Sequence, residues 1–150
     1  MMQMDVAIQE MTIRDYEEVI TLWQSCEGIG LSNADSKESI ARFLAANPQQ
    51  CFVARCDSLL VGAVLCGNDT RRGYLYHLAV HPDHRGRGTG CMLMERCLLT
   101  LSRLGIQKCH IFVYKDNQKG MGFWQKADWV ERTELIIMSR DIPLTTSLLS

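Results

Sequence analysis

The sequence LAVHPDHRGRGTG at residues 78–90 predicts the end of a strand, a tight turn and the start of a helix. Residues 73–80 are rich in aromatic and aliphatic side chains, and the strand ends before Pro82 because proline cannot continue a central ladder. Apolar residues then recur at helical spacing over residues 91–104. The first N–H groups of a helix lack internal partners and carry the positive end of the helix dipole, and glycines let an anion approach them. The sequence therefore predicts an anion-binding site at residues 85–90.

Two common phosphate-binding motifs do not fit this turn. A P-loop requires Gly-Lys-Ser/Thr after its glycines, whereas Gly90 is followed by Cys91. A dinucleotide fingerprint beginning at Gly86 would need glycine where Cys91 stands, and one beginning at Gly88 would need glycine where Leu93 stands. A tight turn that binds no ligand remains as an alternative on the local residues.

Strand and helix patterns extend over the rest of the chain. The predicted strands are residues 6–11, 51–55, 59–66, 73–80, 109–114 and 130–139. The predicted helices are residues 15–23, 91–104 and 117–126, with a further helix that begins at the capping-box pair Asp35 and Glu38 and ends at Asn47-Pro48. Strands interleaved with single crossover helices favour an α/β or α+β fold with a mixed sheet.

The bulk composition indicates one globular domain. The chain has 150 residues, of which 47% are hydrophobic and 22% charged, and its formal net charge is -1. We assign residues 1–142 to a single domain and residues 143–150 to a C-terminal tail. No nucleic-acid partner is expected, because nucleic-acid-binding domains carry a marked basic excess. No membrane partner is expected either, because no segment approaches the roughly 18 apolar residues that span a bilayer.

The seven cysteines predict buried free thiols rather than disulfides or a metal site. Their number is odd, no two are spaced Cys-x-x-Cys, and most lie among apolar neighbours. The first ten residues include Asp5 and Glu10 and lack a long apolar run, unlike a signal peptide. Free thiols suit a reducing compartment, so a cytoplasmic location is expected.

The glycine turn also matches the pattern Arg/Gln-x-x-Gly-x-Gly/Ala through Arg85, Gly88 and Gly90. In its strand–turn–helix setting, the segment 78–90 resembles the acetyl-CoA motif of the GNAT superfamily of acetyltransferases, and the likeness to small bacterial members covers nearly the whole chain. The resemblance implies a GNAT fold, with a mixed, mostly antiparallel sheet of six or seven strands, four or so flanking helices, and splayed fourth and fifth strands. It also implies acetyl-CoA as co-substrate, and homodimers are common among family members.

By the same resemblance, the coenzyme would bind along the fourth strand and the glycine turn. Main-chain groups of Leu78 and Val80 would contact the acetyl end and the pantetheine arm, and Asn117 would contact the arm from the following helix. The Val80 N–H would donate to the oxyanion that develops when an amine attacks the thioester. The pyrophosphate would lie on the backbone amides of Arg85, Gly86, Arg87, Gly88, Thr89 and Gly90.

The general acid departs from the family pattern. Family members often have a tyrosine that protonates the leaving thiolate, and Trp124 stands at that position here. An indole N–H is not a useful acid. Tyr114, at the end of the fifth predicted strand, is a candidate substitute, and a packing or substrate-pocket residue is the alternative.

Candidates for the general base lie on the fourth strand and after the first helix. Strand alternation predicts Tyr74 and Tyr76 on one face and His77 on the other. Imidazole suits proton transfer near neutral pH, although a histidine on a strand is also a common hydrogen-bonded core residue. Glu27 lies in the loop that we expect on the acceptor side.

The favoured function is transfer of the acetyl group of acetyl-CoA to a primary amine of a small molecule or peptide by direct attack. The alternative is an acetyl-CoA-binding sensor or partner-binding module with weak or no catalysis. Trp124 favours the alternative, because loss of a general acid slows an enzyme without removing its binding site.

Overall fold

The computed structural model describes residues 5–144. In that range the strands are β1 (Val6–Glu10), β2 (Phe52–Cys56), β3 (Leu59–Asn68), β4 (Gly73–Val80) and β5 (Cys109–Ile111). The α-helices are α1 (Tyr16–Ser25), α2 (Lys37–Ala46), α3 (Thr89–Arg103) and α4 (Gln118–Lys126). Single turns of 3-10 helix cover Ile13–Asp15, Asn33–Asp35 and Pro82–His84.

One mixed sheet with strand order β1-β2-β3-β4-β5 forms the centre of the fold. The strands from β1 to β4 pair antiparallel, and β4 pairs with β5 in parallel. The central strands are apolar on both faces because helices cover both faces. Val53 of β2 packs in a core cluster with residues of α1 and α2, and its neighbour Ala54 packs in a second cluster with α3. The predicted mixed, mostly antiparallel α/β architecture is confirmed.

β5 is shorter than the sequence pattern predicts. It covers Cys109–Ile111 rather than residues 109–114. Its parallel pairing with β4 begins at Gly73 and ends at Leu75. Beyond Leu75 the two strands are no longer paired, which confirms the expected splaying and leaves residues 112–114 without a partner strand in the described structure.

The prediction of a final strand at residues 130–139 is wrong. No strand forms there, and Ile136 and Met138 are 84% and 86% exposed. Apolar periodicity predicted the strand, but a strand is stabilised by pairing with a neighbour, and this segment has none in residues 5–144. The described sheet therefore has five strands, where six or seven were expected.

A β-bulge in β4 changes the face that His77 occupies. Two residues of β4, His77 and Leu78, oppose the single residue Val64 of β3, and His77 has a φ of +55°. The extra residue interrupts the alternation of side chains between the two faces of β4. The imidazole of His77 therefore packs edge-on against Trp23 of α1, with ring centroids 4.9 Å apart. Trp23 and Tyr76 belong to the same core cluster. The prediction that His77 lies on the face opposite Tyr76 is therefore wrong.

α2 begins one residue later than the capping-box pattern predicts. Its N-cap is Ser36, whose hydroxyl accepts a hydrogen bond from the Ser39 N–H at 3.2 Å. Asp35 instead belongs to the preceding 3-10 turn, where its Oδ2 accepts from the Ser32 N–H at 3.0 Å. The assignment of Asp35 as the start of this helix is wrong, and its carboxylate has a different partner, described below.

The predicted burial of the thiols is confirmed for five of the seven cysteines, whereas Cys91 is exposed and Cys109 is half-buried. Within residues 5–144, no helix is long and apolar enough to cross a membrane. The same residues contain no group of three or more His, Cys, Asp and Glu side chains placed to hold a metal ion. Residues 145–150 of the predicted tail lie outside the described residues.

Candidate active site

The gap between β4 and β5 opens into a cleft of about 470 Å³. Leu75 and residues 77–80 of β4 form one wall, and residues 111–113, at and beyond the end of β5, form the other. The first turn of α3 and one side of α4, from Lys119 to Trp124, also line the cleft. A second, larger concavity of about 750 Å³ lies between α3 and the ends of β1 to β3, and none of the predicted site residues line it.

Val80 presents its backbone to this cleft. The N–H of the next residue, His81, donates to the carbonyl of Val61 on β3 at 2.8 Å. Hydrogen-bonded and non-hydrogen-bonded pairs alternate along antiparallel strands, so Val80, opposite Gly62, belongs to a non-hydrogen-bonded pair. Its N–H and C=O therefore point away from β3 and toward the gap left by β5.

The carbonyl of Val80 already has partners within the protein. Arg85 donates to it through Nε at 3.0 Å, and the thiol of Cys26 approaches it at 3.7 Å. The N–H of Val80 is therefore the main-chain group that a ligand would meet at this point, as the expected oxyanion donor requires.

The glycine turn holds the N-terminus of α3 in a conformation suited to an anion. Gly86 and Gly88 have φ values of +78° and +81°, in the left-handed region that strains residues with a Cβ atom. Gly88 is the N-cap of α3, and in the described structure no side chain caps the first turn. Gly86, Gly88 and Thr89 line the cleft, so these N–H donors and the positive end of the dipole lie beside it.

The last residue of the motif, Gly90, has a packing role. A Cβ atom at Gly90 would meet the ring of Phe123 at 3.2 Å, so the absence of a side chain lets α3 and α4 approach each other.

His84, just before the turn, also lines the cleft, and its Nδ1 is buried with no hydrogen-bond partner in the described structure. Buried polar atoms are nearly always paired, so this nitrogen suits a contact with a bound ligand.

Asn117 lines the cleft, and it also caps α4. Its Oδ1 accepts a hydrogen bond from the Gly120 N–H at 3.0 Å. Its Nδ2 lies so close to Gly28 that a Cβ atom there would be 2.5 Å away. Asn117 therefore caps α4 and lies against the loop after α1.

The cleft contains Trp124 at the family's acid position but not Tyr114, the candidate substitute. Trp124 lines the cleft, but its ring packs edge-on against Phe123 and Trp129, each with ring centroids 5.0 Å away. Tyr114 is exposed and is absent from the cleft lining; its hydroxyl lies against Gly30 instead. The described cleft therefore offers no phenol at the position that the family uses.

Among the candidates for the general base, Glu27 and His77 both line the cleft. Tyr74 and Tyr76 lie on one face, as predicted, with stacked rings 6.3 Å apart. The pKa of Tyr76 is raised, mainly by burial and to a smaller extent by the neighbouring hydroxyl of Tyr74. Tyr76 therefore stays protonated near neutral pH and is unsuited to accept a proton.

Sequence reasoning missed the contact between Asp35 and His77. Its Oδ1 lies 2.9 Å from Nε2 of His77, and the two residues are separated by 42 positions. The capping pattern singled out Asp35 but assigned it a local role. No pattern along the chain connects Asp35 to His77, because the contact depends on how the turn after α1 packs on β4.

Comparison with known proteins identifies one family. The model of the acetyltransferase (GNAT) family matches residues 16–129. A protein named acetyltransferase from Yersinia pestis (strain Pestoides F) is 36% identical over 126 residues, which cover 84% of this chain and 89% of the relative.

Solved structures share the fold at lower identity. The crystal structure of the PaiA N-acetyltransferase from Thermoplasma acidophilum in complex with coenzyme A has a TM-score of 0.73 at 20% identity, covering 83% of this chain and 89% of that chain. The structure of AAC(6')-Iy in complex with the bisubstrate analogue CoA-S-monomethyl-acetylneamine has a TM-score of 0.73 at 19% identity, covering 93% and 99%. At these identities the likeness shows the fold.

Proposed function

This chain belongs to the acetyltransferase (GNAT) family, and from that membership we propose that it transfers the acetyl group of acetyl-CoA to a primary amine of a small molecule or peptide. The observation that carries the proposal is the cleft between β4 and β5, which ends on the uncapped N-terminus of α3. A cleft that meets the N-terminus of a helix suits a ligand that carries both a pyrophosphate and a reactive group.

The coenzyme-binding residues are part of this proposal, and it is supported because most of them line the cleft. Main-chain groups of Leu78 and Val80 bind the acetyl end and the pantetheine arm, and Asn117 adds its side chain from α4. The pyrophosphate lies on the backbone amides of residues 85–90, and the buried Nδ1 of His84 is close enough to the same cleft to take part. The cleft suits acetyl-CoA because it lies beside the N–H donors of α3, which can bind the pyrophosphate.

When bound, acetyl-CoA supplies a thioester that an amine can attack directly. The Val80 N–H donates to the carbonyl oxygen as negative charge develops on it. No covalent intermediate with the protein is needed, because holding the two substrates side by side supplies much of the reduction in the barrier.

His77 is the general base in this proposal, because it is among the β4 residues that line the cleft and an imidazole suits proton transfer near neutral pH. Glu27 lines the cleft from the loop after α1, and its negative charge favours a cationic acceptor. No tyrosine replaces Trp124 as an acid in the described cleft, so the leaving sulfur takes its proton from solvent.

The amine as acceptor is supported by the family and by the bisubstrate analogue bound to the structurally similar AAC(6')-Iy. The seven reduced thiols suit a reducing compartment, and on that ground we place the protein in the cytoplasm.

A module that binds acetyl-CoA without catalysis is the second candidate, and Trp124 at the position of the acid is the observation that favours it. The first stage of the test measures binding. Acetyl-CoA at millimolar concentration should raise the melting temperature of the protein by mass action. Gly88→Trp should remove the shift by filling the cleft, whereas Gly122→Trp, on α4 but outside the cleft lining, should retain it.

The second stage measures thiol release with a panel of small amines, polyamines, amino acids and peptides. If an amine increases the rate of thiol release above the rate without amine, the result supports the acetyltransferase activity. A melting shift without release across the panel favours the binding module. Absence of a shift in the wild-type protein overturns both candidates.

A further inference from the structure

We propose that Asp35 is a positioning residue that fixes the tautomer and orientation of His77, so that Nδ1 of the imidazole takes the proton from the acceptor amine. The inference rests on the proposed function, because it adds a second residue to the same reaction. It concerns a residue that touches neither the acceptor amine nor the coenzyme.

The carboxylate of Asp35 is held on both of its oxygens. Oδ2 accepts from the Ser32 N–H at 3.0 Å, and Oδ1 lies 2.9 Å from Nε2 of His77. The carbonyl of Asp35 accepts from the hydroxyl of Tyr16 on α1 at 2.7 Å. The residue is 6% exposed, so both the backbone and the side chain of Asp35 are immobilised in the core.

The contact with Asp35 determines which nitrogen of His77 carries the proton. A carboxylate only accepts hydrogen bonds, so Nε2 must be the protonated nitrogen. Nδ1 then carries the lone pair, and no side chain or backbone group in residues 5–144 bonds to it. Nδ1 is also not among the buried unpaired atoms of these residues, so it is not fully enclosed by protein, and His77 is one of the residues that line the cleft.

The backbone of His77 is held in a conformation that costs energy. Its φ of +55° places a non-glycine residue in the left-handed region. The indole Nε1 of Trp23, which is fully buried, donates to the carbonyl of His77 at 2.9 Å and holds the bulge in place. Strained residues that the surrounding structure retains are concentrated at functional sites, and this one puts an imidazole beside the cleft.

In the reaction the acceptor enters as the neutral amine. Its nitrogen forms the new bond to the acetyl carbon, its proton passes to Nδ1 of His77, and the electron pair of the broken C–S bond leaves on sulfur. The imidazolium returns its proton to solvent, and the thiolate takes one from solvent. Asp35 stabilises the imidazolium through the Nε2–H contact.

The alternative is a structural pair that only joins the turn at residues 33–35 to β4. The two cases differ in what they change. A structural pair affects stability alone, whereas a positioning carboxylate also affects kcat and the tautomer of His77. The titratable groups in the elements packed around His77 include Tyr16, Cys26, Glu27 and Tyr76, and each variant below keeps all four of them.

The decisive measurement on the wild-type protein is the ¹⁵N chemical shift of the His77 ring, assigned by its loss in His77→Gln. We expect a protonated Nε2 and an unprotonated Nδ1 at neutral pH. A protonated Nδ1 in the neutral ring overturns the proposal, whether or not an acceptor amine is known.

The kinetic test compares Asp35→Asn with Asp35→Glu, and Glu17→Gln serves as the control at an exposed carboxylate of α1. The amide of the Asp35→Asn variant donates to Nε2 and reverses the tautomer, so kcat should fall about 100-fold or more with little change in KM for acetyl-CoA. Asp35→Glu should restore part of kcat, and the control should leave it unchanged.

The acetyl-CoA melting shift shows that each variant is folded. If the wild-type protein turns over an amine and Asp35→Asn retains its kcat, this proposal is overturned and the proposed function stands. If the wild-type protein turns over no amine while the His77 ring shows the expected tautomer, the proposed function fails and Asp35 is left with a structural role.

Discussion

The Nε of Arg85 donates a 3.0 Å hydrogen bond to the carbonyl oxygen of Val80, which joins the glycine turn to the end of β4. The two residues are five positions apart, and His81 at the bend between them is anchored to β3 through its N–H. The strand end that would meet the acetyl group and the turn that would meet the pyrophosphate are therefore held at a constant separation. This contact leads to the first prediction.

Arg85→Gln should weaken acetyl-CoA binding by loosening the end of β4. We expect KM for acetyl-CoA to rise about fivefold, because one hydrogen bond at an exposed site contributes about 1 kcal/mol. Arg87→Gln is the control, because Arg87 is exposed and its side chain makes no hydrogen bond in the described structure. An equal rise in both variants would mean that the charge of the turn matters and the Val80 contact does not.

Gly88→Ala should destabilise the protein through its backbone conformation. Its φ is +81°, and a Cβ atom at this position would meet nothing within 4 Å beyond its own chain neighbours, so strain rather than a clash sets the cost. We expect the free energy of unfolding in urea to fall by about 1 kcal/mol. Gly122→Ala, in the middle of α4 with similar space and no positive φ, should raise it by about 0.5–1 kcal/mol. A loss of stability in both would contradict this explanation.

Trp124→Tyr should speed turnover if the position faces the leaving sulfur. A phenol at this point of the cleft restores a general acid, and we expect kcat to rise about tenfold or more. Trp124→Phe provides the comparison, because it removes the indole without adding a hydroxyl. Both variants lose part of the edge-on contact with Trp129, so each should be less stable by about 1 kcal/mol. Equal kcat in the two variants would rule out an acid role at residue 124.

Stability should fall at alkaline pH because of the buried thiol of Cys51. Burial raises the pKa of Cys51 from 9.0 to about 12 in the folded protein. Between these values the unfolded chain loses the proton and the folded chain keeps it, so stability is complete below pH 9 and falls as pH rises toward 12.

We expect a loss of at least about 2 kcal/mol between the two ends of this window. Urea unfolding at a series of pH values measures it. Cys51→Ala should flatten the dependence relative to Cys91→Ala, which removes an exposed thiol and should leave the slope unchanged. An unchanged slope in Cys51→Ala would show that other groups cause the alkaline loss.

Much of the fold was predictable because its signals are local. The limits of β4 follow from Gly73 and the residues after Val80, and the start of α3 follows from its glycines. The predictions failed where a strand needed a neighbouring strand. Residues 112–114 and 130–139 have the apolar pattern of strands, but they pair with no strand of the described sheet. Apolar periodicity indicates which side chains could be buried. Whether a strand forms also depends on pairing with chain segments that are far away in sequence.

The candidate site divides in the same way. Residues 85–90 alone indicated an anion-binding helix N-terminus, because the turn, the glycines and the first helical N–H groups are all neighbours along the chain. The surroundings of His77 required the tertiary structure. One extra residue in β4 turns its imidazole to the α1 face, where Trp23 and Asp35 contact it. The coenzyme site could be predicted from consecutive residues. The pair of His77 and Asp35, which would move the proton, exists only because the bulge in β4 and a turn distant in sequence come together in the fold.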